Sequence, residues 1–221
     1  MACVGLIGFW AGLYLASRRY PSEYDWRYLT ISSLLYPERD PRGYWWAWGG
    51  LIACALGGLC WVSVLVRGVE WQSKKMRPGI YALAAGFVCM VGCAVWPGAL
   101  LHLPRGHDLL ALLAFIGICM GTVHLSYARI EQHWREHRCA SRNAAKFCAA
   151  LGAAGALLPL FLEAITQADV AQAFPHLPWV GLEWRARGVP AYLSFAFWEW
   201  ITCGVFSAYI AVLSMTRARL E

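Results

Sequence analysis

The fold class predicted by this 221-residue sequence is all-α, an integral membrane bundle of six transmembrane helices. Three observations predict it. Hydrophobic residues make up 59% of the chain and charged residues only 14%, against roughly 25% charge in soluble domains. A water-soluble chain of this length has no core large enough to hide so much apolar surface, and a disordered chain needs low hydrophobicity instead. The apolar residues also fall into six stretches approaching the roughly 20 residues that cross about 30 Å of hydrocarbon. No repeat, low-complexity tract or second domain interrupts them, so residues 1–221 form a single transmembrane domain.

The first stretch, Ala2–Ser17, is short and stops at Arg18-Arg19; it lacks the basic leader of a secretory signal. The second runs over Trp45–Val66, the third over Gly79–Leu101 and the fourth over Asp108–Ala128. The fifth covers Ala144–Ile165 and the sixth Tyr192–Met215, leaving two long connections, Arg18–Tyr44 and Thr166–Ala191. Gly8 and Gly12, Gly117 and Gly121, and the group Gly152, Gly155 and Ala156 are small residues at helical spacing. They let helix backbones approach where lipid provides no hydrophobic drive, and packing within the bundle is the use expected of them.

Loop charge sets the orientation. The connection Arg67–Pro78 carries Arg67, Lys74, Lys75 and Arg77, and the next on that side carries Arg129, Arg135, Arg138, Arg142 and Lys146. The turn His102–His107 on the opposite side holds only Arg105. The positive-inside rule therefore puts both termini in the cytoplasm, although Arg18, Arg19, Arg27, Arg39 and Arg42 of the first loop then lie outside. Net charge is +6 but dispersed, without the aromatic-basic stripe of a nucleic-acid surface, so no nucleic-acid partner is expected.

The nine cysteines are an odd number, and eight sit in apolar stretches, so no disulfide framework is expected. Cys89 and Cys93 share a helix face at i,i+4, a spacing that packing explains. His124, within the fourth span, reads as a hydrogen-bonded buried histidine; a haem or pigment held by it alone stays open, but no second histidine at matching depth supplies bis-histidine ligation. His133-Trp134-Arg135-Glu136-His137 fits the H-x-x-E-H zinc-protease pattern. No third ligand or catalytic domain accompanies it, and it reads as a chance match on a solvated helix extension.

The outward side collects the remaining unusual residues. Trp26, Trp45, Trp46, Trp48, Trp96, Trp179, Trp184, Trp198 and Trp200 all map there, as an interfacial belt does. The stretch Ala173–Tyr192 mixes aromatic and basic residues as a segment lying on the membrane does. Glu163 and Glu199 lie within spans, Asp108 opens the fourth helix where a carboxylate is favoured, and His102 and His107 bracket the preceding turn. A carboxylate within a span needs a partner; for Glu199 the candidates are Arg39, Arg42, Arg105, Arg185 and the two histidines. The candidate ligand-binding site is therefore Ser32, Arg39, Asp40, Arg42, His102, His107, Asp108, Glu163 and Glu199. No cofactor is called for, although two histidines and three carboxylates at one level could hold Zn²⁺.

The segment Tyr28-Leu29-Thr30-Ile31-Ser32-Ser33-Leu34-Leu35, then Asp40-Pro41, resembles the I-S-x-L-G…N-P pattern of an uncharacterised bacterial family of six-helix membrane proteins, distantly related to the FRAG and DRAM proteins. Trp96-Pro97 with His102 and His107 is similar to that family's F-P…H region, and the resemblance runs from the first helix to about Tyr127. Leu35 replaces the usual glycine and Asp40 the common asparagine. The resemblance implies a fold and a bacterial inner membrane but no reaction; lipid remodelling among the eukaryotic relatives points toward lipid. The leading expectation is a headgroup or amphipathic ligand bound at the outer leaflet, with Arg39 and Arg42 meeting phosphate. Two other readings stand beside it: a metal-dependent intramembrane hydrolase using His102, His107 and a carboxylate, and an accessory subunit docking other membrane proteins through its Trp-rich loops.

Overall fold

The structure is a computed structural model that describes residues 2–68, 74–95, 106–135 and 182–218. Among these the chain is helical, without strands: α1 Ala2–Ser17, α2 Tyr44–Arg67, α3 Arg77–Val95, α4 Gly106–Arg135, the short α5 Leu182–Ala186 and α6 Phe195–Ala218. Four helices, α2, α3, α4 and α6, are long and apolar enough to cross a membrane. Together they suggest a multi-pass membrane protein. The 16 residues of α1 rise only about 24 Å, less than the hydrocarbon thickness. The expected fifth span, Ala144–Ile165, lies outside the described residues; among the described residues the architecture is a helical bundle with four membrane-length helices.

The boundaries depart from expectation in ways the residues explain. Helix α2 gains Tyr44 and Arg67 at its ends, and α3 begins at Arg77. The fourth helix continues past Ala128 to Arg135, through a stretch whose polar residues predict a connection. Nothing in Ile130–Arg135 breaks a helix. The last helix starts at Phe195 rather than Tyr192, because Ala191–Leu193 forms a separate 3₁₀ turn after Pro190.

The long helices form a ring. Helix α1 packs on α2, α2 on α3, and α3 on α4. Phe115 meets Phe206 edge-on and the Tyr209 hydroxyl donates to the Thr122 carbonyl at 2.8 Å, joining α4 to α6. The Trp10 indole donates to Ser207 Oγ at 3.0 Å, closing α6 back onto α1. The glycine pairs sit in these seams. A Cβ at Gly12 would lie 2.8 Å from Gly50 Cα on α2, and one at Gly117 would lie 2.8 Å from both Gly86 Cα and the Ala82 carbonyl on α3. Both pairs therefore pack within the bundle. Outside the ring, Val4, Ile7, Tyr14, Leu56, Val88, Met120 and Tyr127 are exposed, an apolar surface that lipid rather than water suits.

The contacts run antiparallel between neighbours, with Gly5 against Gly57 and Gly12 against Gly50, and Gly79 against Gly121 and Gly86 against Gly117. The C-termini of α1 and α3 and the N-termini of α2, α4 and α6 therefore gather at one end of the bundle. The first loop and the 182–194 segment are at that end, and the candidate site with them.

Candidate functional site

The first loop is a folded cap rather than a flexible connection. Its centre, Ile31–Leu34, is a 3₁₀ helix: Thr30 is extended and its hydroxyl accepts from Ser33 N, which starts the turn. This is the stretch carrying the Ile31-Ser32-Ser33 motif. Ile31, Leu34 and Leu35 point into the bundle core, and Ser32 Oγ and Thr30 Oγ1 share a hydrogen bond at 2.8 Å.

Helix α6 holds this cap from below. Glu199 Oε2 accepts from Ile31 N at 2.9 Å, and the Trp200 indole donates to the Leu29 carbonyl at 3.1 Å. The Tyr24 hydroxyl lies between, within 2.9 Å of the Leu29 and Thr30 carbonyls. Burial pushes the Tyr24 phenol above its ordinary range and the Glu199 charge adds to it, so Tyr24 is a neutral donor. Glu199 thus bonds a backbone amide, a partner absent from the expected arginines and histidines. Helix α6 begins at Phe195, so Glu199 sits just past its first turn.

Arg185, one of those expected partners, bonds elsewhere. It reaches Asp25 at 3.4 Å and Glu23 at 3.5 Å. Asp25 is buried and also accepts from Arg27 N, Nε and Nη2 at 3.1, 2.8 and 2.9 Å. The Arg27 side chain, opposed in part by burial, holds the Asp25 carboxyl below the usual carboxylate range; Arg185 adds to this. Near these pairs the Tyr28 hydroxyl donates to the Val189 carbonyl at 2.7 Å, and Trp26 stacks on Phe197. The 182–197 segment is therefore fastened to the first loop.

The third feature is the corner where α1 ends and α2 begins. Asp40-Pro41-Arg42-Gly43 makes a tight turn in which Asp40 Oδ1 accepts from Gly43 N at 2.9 Å, and the Asp40 carbonyl accepts from Gly43 N and Tyr44 N. Asp40 is 0% exposed, and among the described residues its Oδ2 has no hydrogen-bond partner. A Cβ at Gly43 would collide with this carboxyl and lie 2.7 Å from the Ala16 carbonyl, so glycine is required there. Burial raises the Asp40 carboxyl above its ordinary range, against the Gly43 amide and Arg19, which lower it. Outside the corner three arginines are exposed, Arg19, Arg39 and Arg42. The Arg19 guanidinium lies 5.0 Å from the centre of the Trp46 ring and that of Arg39 5.6 Å from Tyr36. Arg19 acts on Asp40 and Arg39 on Tyr20, so both charges bear on the same corner. Among the described residues neither makes an ion pair with a carboxylate. Trp45 beside them is 62% exposed and Trp46 45%.

The described residues of the predicted site thus separate. Arg39, Asp40 and Arg42 meet at the corner, while Ser32 and Glu199 belong to the cap under the loop. His102 and Glu163 lie outside the described residues, and His107 and Asp108 are placed only as positions in the first turn of α4. Sequence reading missed Arg19 as a site residue; its signal was its position at the end of α1, four residues from Leu15, whose carbonyl it caps. It also missed Tyr24 and Asp25, whose partners are distant in sequence. His124 Nε2 donates to the Lys75 carbonyl at 2.6 Å, tying α4 to the approach to α3, and the residue is partly exposed rather than buried as expected. Among the described residues no three His, Cys, Asp or Glu side chains gather as metal ligands do. Compared with known protein families, with characterised proteins and with solved structures, the chain matches none.

Proposed function

We propose that this is a six-span protein of a bacterial inner membrane, with both termini cytoplasmic, that binds the phosphate of an anionic lipid headgroup at the α1–α2 corner. The observation that carries the reading is the pair Arg19 and Arg39, each laid along an aromatic ring at the bundle end without a carboxylate partner among the described residues. Guanidinium groups match phosphate oxygens in a bidentate geometry, and a cation already stacked on a ring loses less freedom on binding. Arg42 adds a third exposed charge from the turn. Trp45 and Trp46 suit the headgroup–acyl boundary, where amphipathic rings concentrate, and an acyl chain would run down the apolar outer face of α1 and α2.

Lipid retained by the protein in mild detergent tests this. Wild-type protein titrated with phosphatidylglycerol and read by native mass spectrometry should carry the lipid in preference to phosphatidylcholine. The double variant R39A/R42A should lose most of that preference while keeping its helical content. Equal retention by variant and wild type, or no preference for the anionic lipid, would overturn the reading.

A further inference from the structure

Among the described residues Asp40 is buried at the arginine corner with its Oδ2 unpartnered, and that oxygen has no role in the turn. An unpaired carboxylate oxygen sealed from water is costly, and the ordinary remedy is a proton on the oxygen itself. The surroundings favour that proton. A Cβ at Gly43 would meet both Oδ2 and the Ala16 carbonyl, so the carboxyl lies beside the negative C-terminal end of α1. The groups acting on Asp40 are Arg19 from the end of α1 and the Gly43 amide at the start of α2; Tyr20 feels both the Asp40 carboxyl and Arg39 of the loop. Tyr20 is itself raised by burial and stays a neutral phenol.

We propose that Asp40 is a proton switch for the phosphate-binding corner. When the carboxyl carries its proton, Arg19 and Arg39 present their full charge to a lipid phosphate. When the proton leaves to solvent, the carboxylate competes for Arg19 and the corner binds phosphate less well. Desolvation raises the carboxyl above its ordinary range, against the Gly43 amide and Arg19. The sign follows: lowering the pH through the Asp40 transition strengthens anion binding, and raising it weakens binding. The inference deepens the lipid-phosphate reading above and rests on it.

Two measurements test it separately. In lipid-free protein, the pH-difference infrared spectrum should contain the carbonyl band of a buried carboxylic acid, absent from D40N. Phosphatidylglycerol, whose phosphodiester keeps one charge across the range, is then titrated at several pH values. Wild-type binding should weaken roughly three- to tenfold over the interval in which the band disappears, the size expected of one opposing charge at a partly exposed site. D40N should bind tightly with a flat profile, and R19Q weakly with a flat profile, which keeps the test open if one variant folds poorly. A D40N profile that follows wild type, or no Asp40 band at any pH, would overturn the switch. Failure of phosphatidylglycerol to bind wild type and D40N alike would remove the lipid reading and the switch with it, whatever the band shows.

Discussion

The carboxylate of Glu199 accepts a hydrogen bond from the backbone N–H of Ile31 at 2.9 Å, across 168 positions of sequence. The bond joins the start of the last helix to the 3₁₀ turn of the first loop. An acceptor that is ionised makes this bond stronger than an ordinary amide contact, worth about 1.5–3 kcal/mol.

Replacing Glu199 should therefore free the cap. E199A is expected to lower stability by about that amount, and E199Q, which keeps an oxygen acceptor without the charge, by about 1 kcal/mol. Hydrogen exchange gives the local readout. The Ile31 amide should lose protection in E199A well before amides in the middle of α2. Unchanged protection there would show that the bond does not hold the cap.

The fastening of the 182–189 segment depends on Asp25, whose carboxyl is held below its ordinary range by Arg27 and then Arg185. A depressed carboxyl contributes stability above its unfolded value, and that contribution is lost as pH falls through the folded value. Limited proteolysis at Arg185 and Arg187 should stay slow from neutral pH down to the ordinary aspartate range and accelerate only below it. D25N should be cleaved rapidly already at neutral pH, and a D25N protein as resistant as wild type would contradict the assignment.

Helix seams and lipid-facing glycines should respond oppositely to added bulk. G117L drives a side chain into the Ala82 carbonyl and Gly86 of α3, and overpacking of this kind costs about 1–3 kcal/mol. Among the described residues, Gly49 and Gly204 have nothing within 4 Å of an added Cβ, so G49A and G204A should be neutral or slightly stabilising, since alanine favours helix. Thermal unfolding in one detergent compares all three.

The Tyr209 hydroxyl, 1% exposed as a residue, donates to the Thr122 carbonyl between α6 and α4. Ser126 Oγ donates to that same carbonyl at 2.8 Å, so Y209F leaves no orphaned acceptor. Its cost should be at the low end for a hydrogen bond, about 0.5 kcal/mol, whereas Y209A also empties core volume and should cost about 3 kcal/mol or more. Equal losses for the two would mean that the hydroxyl, and not the ring, carries the contact.

Much of the architecture was legible because it depends on local composition. Hydrophobic runs measure themselves against bilayer thickness, so α1 and α2 emerge within a residue of their expected ends, and small residues at four-residue spacing mark the α1–α2 and α3–α4 seams. His124 was legible as a hydrogen-bonded histidine for the same reason, since a polar ring within an apolar span needs a partner. The extension of α4 to Arg135 was harder to see, because polar residues end the apolar signal without ending the helix.

What only the tertiary structure decided is which polar groups meet. From sequence, Arg39, Asp40, Arg42 and Glu199 belong to one outward-facing candidate site and Glu199 seeks a partner among the arginines and histidines. In the folded chain Glu199 takes the Ile31 amide, Arg185 takes Asp25 and Glu23, and Asp40 is sealed inside the corner that Arg19, Arg39 and Arg42 surround. Burial and apolar length are additive along a chain and can be read from it. Hydrogen bonds and ion pairs act over about 3–4 Å, and distances of that size between residues more than a hundred positions apart exist only once the helices have packed.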